Sequence, residues 1–423
     1  MRISLHWKSR YTVLAILFSA SIVSFMDRMA MSVVIPYIKA DFHLTAFQSG
    51  MVMSAFFASY SLSQIPGGLL ADKFGVRKVI TVAMLWWSFF TAITGIAANF
   101  SQMLVARFLF GLGEGVYPAC SFKTVAMWFP KRERGTANAI MLSSSRMGAA
   151  IAPLFVVWIM SFGGWRPVFF SLFLPGLLIA LIFWIFIPGK PSESKRVSAA
   201  ELDEIEADTE EPSTSSKTEV GVLETLKDPM ILRFCFIYFA FDFAYWGFTS
   251  WLPTYLVEER GFSMVQMGVA ASLPFIAGTL GCIGGGWISD RFFANNRRLP
   301  IILAPLISAV FIYLTFQTRS VTMVMVYQTL SGFTLNYFFA SFWALPISTV
   351  PKSRMGVTSG VINTAGQIAG FLSPLAVGYM LQVTGGHFSL TFGALVVSLL
   401  LVSAVALSIP SRARIAREAA RTA

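Results

Sequence analysis

Charge is scarce in this 423-residue chain: only 13% of its residues are Asp, Glu, Lys or Arg, and 56% are hydrophobic. Soluble proteins carry roughly 25% charged residues. The shortage, with a mean hydropathy of +0.68, excludes an ordinary water-soluble domain and indicates a polytopic membrane protein. Cysteine is also rare. Cys120, Cys235 and Cys282 each fall inside an apolar run, so they read as small core residues without a disulfide framework. His6, His43 and His387 lie at or beyond the ends of apolar runs, and no metal-ligand cluster is visible. Gly284-Gly285-Gly286 is not followed by the Lys-Ser/Thr that would cradle a nucleotide phosphate. An enzyme is therefore not expected, nor any cofactor. Acids are fewer than bases, 21 against 32, giving a net charge of +11. In a soluble chain that excess would suggest nucleic acid. Here the bases cluster in short loops, so membrane topology is the better explanation and no nucleic acid is expected.

Long apolar runs are what the chain has in abundance. Twelve are expected, over 11–38, 46–70, 79–98, 102–128, 136–160, 166–188, 230–257, 264–289, 299–317, 321–349, 355–380 and 387–409. Each is long enough to cross a bilayer as a helix, which takes roughly 20 residues. The fold class expected is an all-α membrane protein with twelve transmembrane helices in two pseudo-symmetric six-helix halves. With both termini inside, only Lys39, Arg166, Arg260 and Arg319 fall in outside loops, so the excess of inside bases places both ends in the cytoplasm. No cleavable signal peptide is expected, because the first run is too long and carries charges mid-span. The domains expected are an N-terminal half over 1–188, a cytoplasmic linker over 189–229, and a C-terminal half over 230–423 with a short basic tail. The linker holds just over half of the 21 acids and reads as a solvated spacer. Within it Ser198-Ala-Ala-Glu201 is a capping-box pattern, predicting a short polar helix from Ala199 to Asp208. Asn99-Phe-Ser101 matches a glycosylation sequon, on a loop so short that we treat the match as chance.

The halves repeat each other. Gly67-Gly68-Leu-Leu-Ala-Asp72-Lys73 returns as Gly285-Gly286-Trp-Ile-Ser-Asp290-Arg291. Pro130-Lys131-Arg132-Glu-Arg-Gly135 returns as Pro351-Lys352-Ser-Arg-Met-Gly356. Pro36 corresponds to Pro253 and Pro153 to Pro374. In a transporter, such duplication implies a binding site near the bilayer midplane between the repeats.

Several charges sit where no charge should. Asp27-Arg28 lies near the middle of the first run, and a charge there costs roughly 2.5–3.5 kcal/mol on insertion scales, so it should face a cavity or partners. Arg107 and Glu114, seven apart on the fourth run, share one helix face. A guanidinium at mid-depth beside hydroxyl and amide donors suits a carboxylate bidentately. A buried carboxylate is a candidate proton carrier. Around the loop between the second and third runs, Asp72 could cap a helix N-terminus, and the bases could hold loop acids or lipid headgroups.

That string, Gly67-Gly68-Leu-Leu-Ala-Asp72-Lys-Phe-Gly75-Val-Arg77-Lys78, resembles the signature loop of the major facilitator superfamily. The resemblance implies that Gly68, Asp72, Gly75, Arg77 and Lys78 stabilise a cytoplasmic gate. The fourth helix, Arg107-Phe-Leu-Phe-Gly-Leu-Gly-Glu114-Gly-Val-Tyr-Pro118, is more specific. Taken with Asp27-Arg28, Ser59-Tyr60-Ser61, Ser250-Trp-Leu-Pro-Thr-Tyr and Asn363-Thr-Ala-Gly-Gln367, the chain resembles the anion:cation symporter family. That family includes bacterial transporters of galactonate, glucarate and hexuronates. The resemblance implies that Arg28 binds a substrate carboxylate, that Asp27 and Glu114 carry protons, and that Arg107 pairs with those acids. Tyr60 and Asn363 match polar cavity residues. Tyr245, Trp343, Asn336 and Gln367 are further candidate substrate contacts, for which interhelical hydrogen bonding is an equal explanation.

Arg146 and Asp242 are also at mid-depth but match no part of that pattern. Either they pair with each other, or Arg146 is a second anchor and Asp242 a third titrating acid. Together Asp27, Glu114 and Asp242 balance Arg28, Arg107 and Arg146. A bound anion would leave an uncompensated negative charge in a low-dielectric site, which a proton relieves. The function expected is a proton-coupled symporter importing an organic anion, a sugar acid or other small carboxylate, by alternating access. It would act as a monomer in the bilayer, in a bacterial inner membrane. An exchanger or exporter of anionic or drug-like compounds, and a non-transporting nutrient receptor, are the alternatives.

Overall fold

The computed structural model describes residues 7–207, 222–293 and 296–409. All twelve apolar runs are helical, and among the described residues nine helices are long and apolar enough to cross a membrane by length and composition. The N-terminal half contains α1 (Ser9–Asp41), α2 (Ala46–Phe74), α3 (Val76–Ile96), α4 (Phe100–Glu114), α5 (Tyr117–Trp128), α6 (Lys131–Gly163) and α7 (Arg166–Phe186). Between the halves lie α8 (Ala199–Glu206) and α9 (Val222–Thr225). The C-terminal half contains α10 (Pro229–Thr254), α11 (Met264–Phe292), α12 (Arg298–Gln317), α13 (Val321–Thr349), α14 (Lys352–Val383) and α15 (Ser389–Leu407).

The fourth apolar run, expected as one span, is broken between α4 and α5. The cause is Pro118 in the first turn of α5. It has no N–H to return to the carbonyl of residue 114, and its ring clashes with that carbonyl. Glu114 thus ends its helix segment. In the seventh run, Pro253 is followed by a single π-helical turn, Tyr255–Glu259, which extends α10; a widened turn is one way a helix absorbs such a break.

The chain forms two compact units. One holds Met1–Met31 and Ala55–Ser215, the other Ser32–Ser54 and Ser216–Ala423. In the first unit, α3 packs on α4 and α7. In the second, α13 packs on α11 and α12, and α10 on α14 and α15. The last turns of α1 and the start of α2 belong to this second unit. There Lys39 pairs with Glu258 at 2.7 Å, and Gly50 lies so close to the Pro374 carbonyl that a Cβ would come within 2.6 Å of it.

The linker helix is docked rather than solvated. Ser198 caps it as expected, its hydroxyl accepting from the Glu201 N–H at 3.2 Å. The Glu201 carboxylate does not return to Ser198. Its two oxygens accept the Ser9 and Arg10 N–H groups, each at 3.0 Å, so α8 supplies the N-terminal cap of α1. The helix ends at Glu206, and Asp208, the predicted end, lies outside the described residues. Glu204 binds Lys8 at 2.7 Å and Arg10 at 2.9 Å. Arg10, 1% exposed, also reaches Glu133 at the start of α6, at 2.9 Å.

Hydrogen bonds from Lys8 and then Arg10 hold the Glu204 carboxyl below its usual range. A depressed carboxyl contributes stability that is present above its unfolded value, about 4.3, and is lost as pH falls through the folded value. Docking of α8 should therefore be constant from neutral pH to about pH 5 and weaken only in stronger acid. Amide exchange over 199–206, corrected for intrinsic rates, checks this. Opening at pH 6 would contradict it, and Glu204→Gln should open the helix at pH 7.

Candidate functional site

The mid-span charges of the first unit converge. Asp27, Arg28, Arg107 and Glu114 are 2%, 9%, 2% and 1% exposed. Arg28 Nη2 donates to Glu114 Oε1 at 2.8 Å. Ser24, one turn earlier on α1, donates to the same oxygen at 2.6 Å. Two donors on one oxygen leave the other, Oε2, buried without a hydrogen-bond partner, as is Asp27 Oδ1. Buried polar atoms are nearly always satisfied, so such exceptions need a reason. Arg107 and Glu114 both lie within electrostatic reach of Asp27, and Arg107 in turn feels Glu114, Asp27 and Arg28.

Aromatic rings hold the cations. The Arg28 guanidinium carbon lies 4.6 Å from the Phe25 ring centroid and 4.7 Å from those of Phe56 and Tyr60. Arg107 lies 4.4 Å from Phe110 and 5.6 Å from Phe56. Each such contact is worth about 2 kcal/mol when desolvated. The rings pack against the guanidinium groups, and Arg28 Nε and Arg107 Nε are buried without a hydrogen-bond partner.

Close helix contact makes the cluster possible. A Cβ at Gly111 would come within 2.5 Å of the Phe56 carbonyl, and one at Gly115 would overlap the Tyr60 carbonyl. Glycine at these positions lets α4 approach α2 closely enough for Glu114 and Tyr60 to reach one guanidinium. From α5, Tyr117 donates to the Leu17 carbonyl at 2.7 Å and lies 3.1 Å from the Ser21 hydroxyl, so α1 is tied to both segments of the broken helix.

The second unit holds the other candidates. Asp242 is 6% exposed. It faces Gly366, where any Cβ would meet its Oδ2 and the Tyr238 ring. Trp343 packs edge-on against Tyr238 at 5.4 Å. Tyr245 stacks on Phe241 at 6.0 Å. Asn336 Nδ2 donates to its own helix, at the Gly332 carbonyl, 2.9 Å away, and its Oδ1 is buried without a partner. Asn363 and Gln367 are half-buried on α14. Arg146, half-buried on α6, belongs to the first unit and Asp242 to the second.

In the loop motif, Asp72 pairs with Lys123 of α5. Gly75 has φ +83°, a turn conformation that favours glycine. Arg77 donates to the Trp184 carbonyl near the end of α7, through Nε at 3.1 Å and Nη2 at 2.5 Å. Lys73 and Lys78 are exposed.

Reasoning from sequence found the four buried charges but missed Ser24, Phe25, Phe56 and Phe110. The one available signal was helical spacing: Ser24 lies four residues before Arg28, and Phe56 four before Tyr60.

Two six-helix halves, with a buried set of charges on helices of the first, define a membrane transporter. The chain belongs to the Major Facilitator Superfamily, whose family model matches residues 17–374. It is 33% identical over 387 residues to the "Probable sulfoacetate transporter SauU" of Cupriavidus necator, covering 90% of this chain and 89% of that one. It is 31% identical over 396 residues to the "Probable galactarate/D-glucarate transporter GarP" of Escherichia coli K12, covering 88% of each. It is 29% identical over 406 residues to the "Hexuronate transporter" of Bacillus subtilis, covering 93% and 94%. Among solved structures, it resembles an inward-facing, unoccupied bacterial homologue of the human lysosomal transporter Spinster, with TM-score 0.77, 20% identity, and 94% and 95% of the two chains covered; that likeness supports the fold.

Proposed function

We propose that this protein is a proton-coupled symporter of a small organic anion, with a sugar acid or similar small carboxylate as the cargo. The observation that carries the proposal is the buried Arg28–Glu114 pair, 2.8 Å long, with Glu114 Oε2 unsatisfied. The Glu114 carboxylate occupies the guanidinium that would recognise a carboxylate of the cargo. Protonation of Glu114 neutralises it and frees Arg28. A bound anion in turn makes a neutral Glu114 the cheaper state, since an extra buried negative charge is costly. Each ligand then raises the other's affinity, which is symport stated as a coupling free energy. Asp27, with its own unsatisfied oxygen, is the second proton carrier, and Arg107 keeps the two acids from being neutral together. The anions named for the similar transporters support a cargo of this chemical kind.

The experiment is uptake into proteoliposomes of labelled glucarate, galactarate, a hexuronate and sulfoacetate. The expected result is accumulation above equilibrium of at least one of these with an alkaline interior, abolished by a protonophore. Uptake that only equilibrates, whatever the gradient, would overturn the proton coupling. Movement seen only against a preloaded counter-anion would favour the exchanger.

A further inference from the structure

We propose that an anionic phospholipid straddles the Lys78–Val82 ridge of α3, with its phosphate on Lys78 and one acyl chain in the apolar groove on each flank of that ridge. The first groove, about 880 Å³, lies between α3 and α7, walled by Val82 and Leu85 on one side and by Leu177, Leu178, Leu181 and Trp184 on the other. The second, about 420 Å³, lies on the other flank of the Lys78–Val82 ridge, between α3 and the α2 and α4 segments, with Phe74, Val82, Trp86 and Leu112 in its wall. Lys78 and Val82 line both grooves. Lys78 is in the first turn of the 21-residue helix α3, the place for a base at a membrane surface.

The lining specifies the occupant. Two of the polar groups along the grooves are already satisfied within the protein. The Thr81 hydroxyl donates to the Arg77 carbonyl at 2.8 Å, and the Trp86 indole N–H to the Leu109 carbonyl at 2.8 Å. What remains is an apolar surface needing no hydrogen bonds and a cation at one shared end, which is the complement of a two-tailed amphiphile with an anionic head. A protein helix would gain little on such a surface, because lipid-facing helices associate through small residues and polar contacts.

The charge at that end is not cancelled. Asp72, the acid of the loop, is paired with Lys123. Neither Lys73 nor Lys78 has an ion-pair partner among the described residues. Arg77 adds a third positive charge nearby, its guanidinium carbon 4.2 Å from the ring of Trp184, which lines the larger groove. Clusters of bases at the end of a transmembrane helix favour anionic headgroups.

The test is native mass spectrometry of the purified protein in mixed micelles of phosphatidylglycerol and phosphatidylcholine with matched chains. Wild type is expected to retain phosphatidylglycerol at least tenfold over phosphatidylcholine. Lys78→Gln should reduce that preference to a few-fold, and Lys78→Arg should restore it. Val82→Trp, which adds bulk at a residue that lines both grooves but leaves the charge, should lower retention of both lipids. These side chains are on the surface, so the variants fold as wild type does, which a thermal melt verifies. Equal retention of the two lipids by wild type would overturn the proposal, as would an unchanged preference in Lys78→Gln. Displacement of the lipid by millimolar glycerol phosphate would show a phosphate site without chain recognition. A lipid-free dimer that is lost in Val82→Trp would assign the grooves to a second copy.

Discussion

Glu114→Gln will bind the anion and exchange it across the membrane, yet lose all accumulation driven by a pH gradient. The amide keeps the shape of the neutral acid, so Arg28 is permanently released and the cargo site permanently available. What is lost is the charge that must be neutralised in each cycle. Counterflow and gradient-driven uptake, measured on the same proteoliposomes, separate the two. Concentrative uptake equal to wild type would remove Glu114 from the coupling. Ser24→Ala is the companion variant. Its hydroxyl stabilises the charged form of Glu114 at 2.6 Å, and a hydrogen bond to a charged group is worth about 1.5–3 kcal/mol. Removing it should change the pH dependence of uptake. An unchanged pH profile would mean that Ser24 only fills space.

Arg28→Lys will weaken anion binding by about 10- to 150-fold, equivalent to losing one charge-assisted hydrogen bond of about 1.5–3 kcal/mol. Lysine preserves the charge and loses two things. It has no planar fork to meet a carboxylate through two parallel bonds, and it cannot lie flat against the three rings of Phe25, Phe56 and Tyr60 at 4.6–4.7 Å. Binding measured by thermal shift against the best substrate gives the number, and unchanged affinity would take Arg28 out of the cargo site. Phe56→Leu should show the same sign with a smaller size, because it removes one ring and leaves the guanidinium.

The fold was legible because a bilayer leaves few options for a chain with so little charge. Twelve apolar runs must be helices, and each charge inside one stands out against its cost. Asp27, Arg28, Arg107 and Glu114 were visible for that reason alone. Ser24, Phe25 and Phe56 were not. A serine or a phenylalanine in a membrane helix is ordinary, and only the packing of α1, α2 and α4 gives these three their partners. The break after Glu114 had a local signal in Pro118, which a run of hydropathy averages away. The α8 stretch of the linker was misread for the opposite reason. Its acids looked like a solvated surface, and nothing local to Glu201 says that its carboxylate caps a helix nearly two hundred positions earlier in the chain.

That cap bears on how the polypeptide may be divided. Residues up to 188 hold every membrane helix of the first half, and a gene cut there would look complete by hydropathy. Such a fragment would begin its first helix with the Ser9 and Arg10 amides facing only water, and with Arg10 holding one acid, Glu133, in place of two. A fragment ending at 207 carries its own cap. When the two halves are produced as separate polypeptides, the position of α8 decides whether the first is born with a finished end.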